Sequence, residues 1–345
     1  KEYADAVTRI VQNKSGGSGV HVTGSTKAPS EERERFLAEM KQNSVELAEL
    51  VEKLQDMTIA ATKSFDFIGT NPEESSEDVG TVQAPSAWRP VVQDVENMQL
   101  FFDLYAATEP PSSNLALQAI VQLAAVRRSL FSGEAERTSF LQCIMTNIYT
   151  IMTTSQGLQH DENYHEFCRL LGRLKTSFQL SELVKTTNFK GWLELACQFT
   201  TKTFSNWAGY MNSIHYLLAL WGRLVAALPY LRMDSGSDTQ GHAQTLRQCV
   251  TTVVQSYIQT MLNSVEVVVQ MEGGVDDPLE DEGSLREAMD RLPGIAKLQY
   301  ESIAQFLRSA FEKLTSDFEQ AMAMSPEQAR QQEKQVAVME GQLTW

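Results

Sequence analysis

The sequence predicts an all-α protein made of stacked antiparallel helix pairs, and three observations predict it. Apolar residues recur at three- and four-residue spacing along most of the chain. Several segments are apolar on two faces at once. No run alternates apolar and polar residues between hairpin turns, so strand signals are nearly absent.

The spacing predicts helices near 1–12, 31–64, 95–107, 113–131, 135–154, 162–176, 189–204, 210–228, 240–270, 284–291, 295–323 and 326–343. Leu47, Leu50, Leu54 and Met57 form an early stripe. Between Leu115 and Leu130 one face carries Leu117, Ile120, Val121 and Ala124, and another carries Leu115, Ala119, Leu123, Val126 and Leu130. Ile214, Leu218, Trp221, Val225 and Leu228 make a stripe stopped by Pro229, which cannot donate the next helical hydrogen bond. Leu246, Val250, Val253, Tyr257 and Met261 run beside a second stripe of Val254, Ile258 and Leu262. Ile303, Leu307, Ala310, Leu314 and Phe318 repeat the pattern.

Helix starts are also legible. Ser284 with Glu287 reads as a capping box, and Ser325, Pro326 and Gln328 read as another with proline in the first turn. Asp161 reads as the N-cap of the segment from Tyr164 to Leu174. A helix apolar on two sides needs a neighbour on each, which a stacked array supplies; pairs of about 40–47 residues give HEAT architecture. The prediction is therefore a HEAT-repeat α-solenoid, a superhelix of antiparallel pairs forming one partial array over 1–345. A compact helical bundle accounts for the same periodicity. Three stretches interrupt the helices: a Gly- and Ser-rich mobile loop at 14–30, an acidic, proline-containing connection at 67–94, and an acidic loop at 272–283.

Composition narrows the function. The chain carries 44 acidic and 29 basic side chains, a formal charge of -15, so it repels phosphate backbones and anionic membranes and attracts basic partners. Neither direct nucleic-acid binding nor membrane association is expected. Cys143, Cys168, Cys197 and Cys249 each sit alone in an apolar run with no CxxC, the pattern of reduced, buried thiols. The first residues lack a signal peptide's apolar core, and the stretch from Thr203 to Gly222 is too polar to span a bilayer. With no initiator Met and a helix still running at Leu343-Thr344-Trp345, the chain is expected to be an internal segment of something longer.

Catalytic strings are missing: no GxSxG, GxxxxGK[ST] or GxGxxG occurs, so no enzyme, cofactor or nucleotide site is expected in the chain itself. His160, Asp161, Glu162, His165, Glu166 and Cys168 resemble a metal cluster, but Arg169 stands where HExxH needs its second histidine, so a structural role is expected. Trp192, Phe199, Phe204, Trp207, Tyr216 and Trp221 read as core between stacked helices.

Several unusual strings carry a resemblance. Phe65-Asp66-Phe67-Ile68-Gly69-Thr70 is followed by Leu100-Phe101-Phe102-Asp103-Leu104-Tyr105 and Val126-Arg127-Arg128-Ser129-Leu130-Phe131. Then come Asn163-Tyr164-His165-Glu166-Phe167-Cys168-Arg169-Leu170-Leu171, Asp277-Pro278-Leu279-Glu280-Asp281 and Glu340-Gly341-Gln342-Leu343-Thr344-Trp345. In order and spacing, from about Ser64 onward, they resemble the exportin-7 family of the importin-β (karyopherin) superfamily.

The resemblance implies a Ran-dependent transport receptor that shuttles between nucleus and cytoplasm through the nuclear pore. Its implied partners are Ran-GTP, protein cargo and the phenylalanine-glycine repeats of nucleoporins, for which one or two of the aromatics from Trp192 to Trp221 are the alternative pocket, and it is expected to act as a monomer. It also implies that acidic loops touch basic patches on Ran, which marks Asp276, Asp277, Glu280, Asp281 and Glu282 as candidate contacts; the plain alternative is a solvated inter-helix turn. Arg127, Arg128, Arg169 and Arg173 read either as cations meeting helix C-terminal carbonyls or as partner contacts. Outside transport, the competing function is a HEAT-type structural scaffold.

Overall fold

The computed structural model describes residues 86–231, 239–271, 274–278, 280–323 and 333–345. The helices expected at 1–12 and 31–64, the loop at 14–30, the early part of the 67–94 connection and the cap at Ser325-Pro326-Gln328 lie outside these residues. The chain divides into two compact units, 1–178 and 179–345. The described residues form helices and turns and contain no β-strand.

The first unit contains α1 (Arg89–Val92), α2 (Val95–Ala107), α3 (Ser112–Ala124), α4 (Glu134–Thr154) and α5 (Asp161–Ser177). Asp94 caps α2 by accepting from the Glu96 N–H at 3.0 Å. A four-residue connection returns the chain as α3, which packs along α2; α4 then lies against α2, and α5 against α3. Alternate helices thus share a layer, as stacking requires. The space between is filled by Met98, Phe102, Leu104, Leu117, Ile120, Phe140, Ile144, Phe167, Leu170, Leu171 and Leu174, each 3% exposed or less. Each such side chain contributes about 1.5–3 kcal/mol of burial.

Two buried polar side chains of this unit are held locally, Arg137 and Asn163. Arg137, 4% exposed, donates from Nη2 to the Ser177 carbonyl at 2.7 Å and lies over the Phe178 and Phe131 rings at 4.4 and 5.5 Å. Asn163 donates to the Ser113 hydroxyl at 3.0 Å and the Gly157 carbonyl at 3.2 Å, tying α5 to α3.

The second unit contains α6 (Leu180–Leu183), α7 (Phe189–Ser205), α8 (Trp207–Ala227), α9 (Thr239–Met271), α10 (Glu282–Ala296), α11 (Tyr300–Met322) and α12 (Glu333–Thr344). The layering recurs: α7 packs along α9, α8 along α10, and α9 goes on to meet α11 and α12. Trp192, Leu193, Leu217, Trp221, Val250 and Val253 centre the core. The buried Trp221 indole donates to Thr200 Oγ1 at 3.0 Å, and that hydroxyl donates to the Ala196 carbonyl at 2.7 Å. The all-α, stacked-pair prediction therefore holds in each unit.

Several boundaries moved, each for a local reason. The helix expected over 113–131 stops at Ala124; Val126, Leu130 and Phe131 are still buried, but through a turn and the 3₁₀ segment Arg128–Leu130. The stretch read as irregular holds, in its described part, the 3₁₀ turn Ser86–Trp88 and α1. His160 occupies the N-cap of α5 and Asp161 its first turn, so Asp161 meets the helix dipole instead of capping it. The cap of α10 is Asp281, accepting from Ser284 N–H at 3.1 Å; Glu287 pairs with Arg291 one turn on instead of boxing with Ser284. In α11 the predicted stripe is present, yet of its members only Ile303 is buried; Leu307 is 44% exposed, and Phe311, outside the stripe, is 62% exposed.

Candidate functional site

The acidic loop connects α9 to α10, and its backbone explains its shape. Gly274 N–H closes back on the Met271 carbonyl at 3.0 Å, ending α9. Glu280 N–H bonds the Asp277 carbonyl at 3.0 Å around Pro278, which is buried. Asp281 then opens α10. The Ser284 side chain and backbone N–H, both donating to the Asp281 carboxylate, hold it below the usual carboxylate range. Asp276, Glu280, Asp281 and Glu282 are exposed and Asp277 is half-buried.

This segment forms one wall of a cleft of about 750 Å³. The other wall is the start of α8: Trp207, Ala208, Met211 and Asn212. There α8 leaves helical geometry at Tyr210 (φ -129°, ψ 21°), which sets its first turn apart from the remainder. Asp276, Asp277, Glu280 and Asp281 line the cleft and Glu282 does not, while no basic residue is among the lining residues described. An anionic rim over a wall containing an indole and a thioether suits a lysine or arginine: the aliphatic stem lies on the apolar wall and the head meets carboxylates.

The basic candidates separate by environment. Arg127 and Arg128 are exposed beyond α3. Arg169 is half-buried and pairs with Glu166 at 3.2 Å, and Arg173 is buried at 5% exposure. The histidine- and cysteine-bearing string does not converge. His160 Nε2 lies 3.0 Å from Glu109, Cys168 is fully buried, and no three His, Cys, Asp or Glu among the described residues gather at a metal's distance. Trp192, Phe199, Phe204, Trp207, Tyr216 and Trp221 are all buried. No described helix is long and apolar enough to cross a membrane.

The sequence names the acids as candidates and gives no sign of the wall they share the cleft with. Trp207 and Met211 lie more than sixty positions upstream and follow the same helical spacing as any core residue.

The model of the Exportin-7-like TPR domain family matches residues 264–345, a range that includes the acidic segment. TPR and HEAT repeats are both stacked helix pairs. The chain is 39% identical over 282 residues to Exportin-7-B of Xenopus laevis, covering 82% of the chain and 25% of that relative. It is 34% identical to Ran-binding protein 16 of Drosophila melanogaster over 82% of the chain and 24% of the relative. Against Ran-binding protein 17 of Homo sapiens it is 36% identical over 75% of the chain and 23% of the relative. The chain thus spans about a quarter of the length of the curated relatives it matches. Layered helix pairs, the ordered residue strings and these matches agree: the chain belongs to the exportin-7 family.

Proposed function

We propose that the chain is part of a Ran-dependent nucleocytoplasmic transport receptor that exports protein cargo and shuttles through the nuclear pore. The observation that carries this reading is the match over 82% of the chain to a relative named as an exportin, beside relatives named as Ran-binding. In the mechanism, Ran-GTP and cargo bind one array of stacked pairs and stabilise each other, and loss of the GTP state removes that coupling. The array acts by grip and shape, without bond chemistry of its own; any nucleotide is the partner's. Phenylalanine-glycine repeats of nucleoporins and a monomeric state complete the proposal.

The acidic cleft is the proposed contact with a basic surface of Ran, through Asp276, Asp277, Glu280 and Asp281, with Glu282 at its edge. Arg127 and Arg128 are the exposed cations available to acidic patches on Ran or cargo; Arg169 and Arg173, engaged or buried within their unit, would need local rearrangement to join them.

The test uses the full-length receptor carrying Asp276→Asn, Asp277→Asn, Glu280→Gln, Asp281→Asn and Glu282→Gln together. Asn at position 281 retains a capping oxygen, so fold and charge are separated. Ran-GTP affinity is expected to fall about 5- to 30-fold at low salt, or about 1–2 kcal/mol, with Ran-GDP binding weak in both proteins. Unchanged Ran-GTP affinity removes the cleft from the interface. An intact receptor indifferent to GTP and GDP favours the scaffold reading.

A further inference from the structure

We propose that Cys197 and Cys249 are a buried dithiol that hydrogen peroxide converts to an intrachain disulfide, pinning α7 to α9. The residues are 52 positions apart and lie on two successive helices of one layer, which pack extensively along each other. Cys197 Sγ lies 3.7 Å from the carbonyl oxygen of Cys249, and Cys249 Sγ lies 3.9 Å from the carbonyl oxygen of Leu193, one turn before Cys197. Each sulfur therefore already reaches across the interface to the partner helix's backbone. Cys143, by contrast, has Gln99 and Asn147 as its polar neighbours.

The pair is chemically asymmetric. The thiol of Cys249, hydrogen-bonded to the Cys197 sulfur, lowers Cys197 against the opposing effect of burial. That same interaction raises Cys249, with burial and the nearby negative charges of Cys197 and Glu194 adding to it. Cys197 is thus the sulfur that supplies the thiolate. Its sulfur attacks peroxide, forming an S–O bond as the O–O bond breaks and hydroxide leaves. Cys249 sulfur then attacks the resulting Cys197 sulfenic acid: an S–S bond forms, the S–O bond breaks, and the departing hydroxide leaves as water with the Cys249 proton. In sum two thiols lose two electrons and two protons, and one peroxide becomes two waters.

Both residues are poorly exposed, at 8% and 6%, so the reaction waits on local loosening of the α7–α9 contact. Once made, the bond fixes the register of two stacked helices, the motion through which an array of this kind changes curvature.

The test treats the native full chain with graded hydrogen peroxide, quenches with N-ethylmaleimide in urea, and reads intact mass and peptide maps. Expected is the joint loss of two alkylation sites, with a dithiothreitol-reversible peptide linking Cys197 to Cys249. In Cys249→Ser, dimedone is expected to label Cys197; in Cys197→Ser, Cys249 is expected to stay alkylatable. The proposal is overturned if both cysteines remain alkylatable at doses that consume glutathione in the same tube. It is equally overturned if either oxidises alone or links to Cys143 or Cys168. The wild-type map decides the matter even where a serine variant does not fold.

Discussion

Thr200 shows how much one hydroxyl can hold. Fully buried, it passes a hydrogen bond from the Trp221 indole to the Ala196 carbonyl. Thr200→Val keeps the shape and strands the indole N–H, so unfolding free energy is expected to drop by about 1–3 kcal/mol, checked by urea denaturation. Thr200→Ser, which retains the acceptor, should lose less. Gly157 is set by backbone: its φ is +73°, and a Cβ there would stand 2.5 Å from the Tyr105 hydroxyl. That hydroxyl is already committed to the Gln156 carbonyl at 2.6 Å. Gly157→Ala is therefore expected to cost about 1–3 kcal/mol and to lower the melting temperature. Neither constraint shows in the sequence, where threonine and glycine at these positions look like ordinary surface choices.

At the scale of the element, the cap of α10 joins stability to pH. Asp281 is held below its ordinary value by the Ser284 side chain and backbone N–H, so the folded state favours the carboxylate. A depressed acid stabilises above its unfolded value, and that contribution is lost as pH falls through the folded one. Asp281→Ala is expected to destabilise α10 by about 0.5–2 kcal/mol at neutral pH, with the difference from wild type shrinking in acid; hydrogen exchange over Glu282–Ala296 reads it. The docking of α12 rests on Gly341. A Cβ there would lie 2.5 Å from Val265 Cγ1, while Gln342 donates to the Leu262 carbonyl at 2.8 Å. Gly341→Val should free α12 from α9, seen as faster proteolysis after residue 323 and altered Trp345 fluorescence. Helix identity at this scale was legible from spacing because burial of one face imposes a 3.6-residue period. Termini were less so. The Ser284–Glu287 pattern reads as a cap in the sequence, but Asp281, three residues earlier, takes the Ser284 N–H.

Across the whole molecule, the charge of -15 favours basic partners, and the cleft between the acidic segment and the start of α8 gives part of that charge a shaped place to act. On the proposed Ran contact, affinity for Ran-GTP in the intact receptor should weaken with ionic strength, and the five-site neutral variant should show a shallower salt dependence. The sequence by itself determined the all-helical class, the position of most of the described helices, the density of acids at 272–283 and the family likeness, because periodicity, charge density and ordered strings are local properties of a chain. Tertiary structure alone decided that Trp207 and Met211 stand opposite Asp276 and Asp281. It also decided that Cys197 meets Cys249 and that Arg173 is buried while Arg127 is exposed. Those outcomes depend on which helix stacks on which. The choice is made by packing between elements tens of residues apart, and no pattern within any one of them records it.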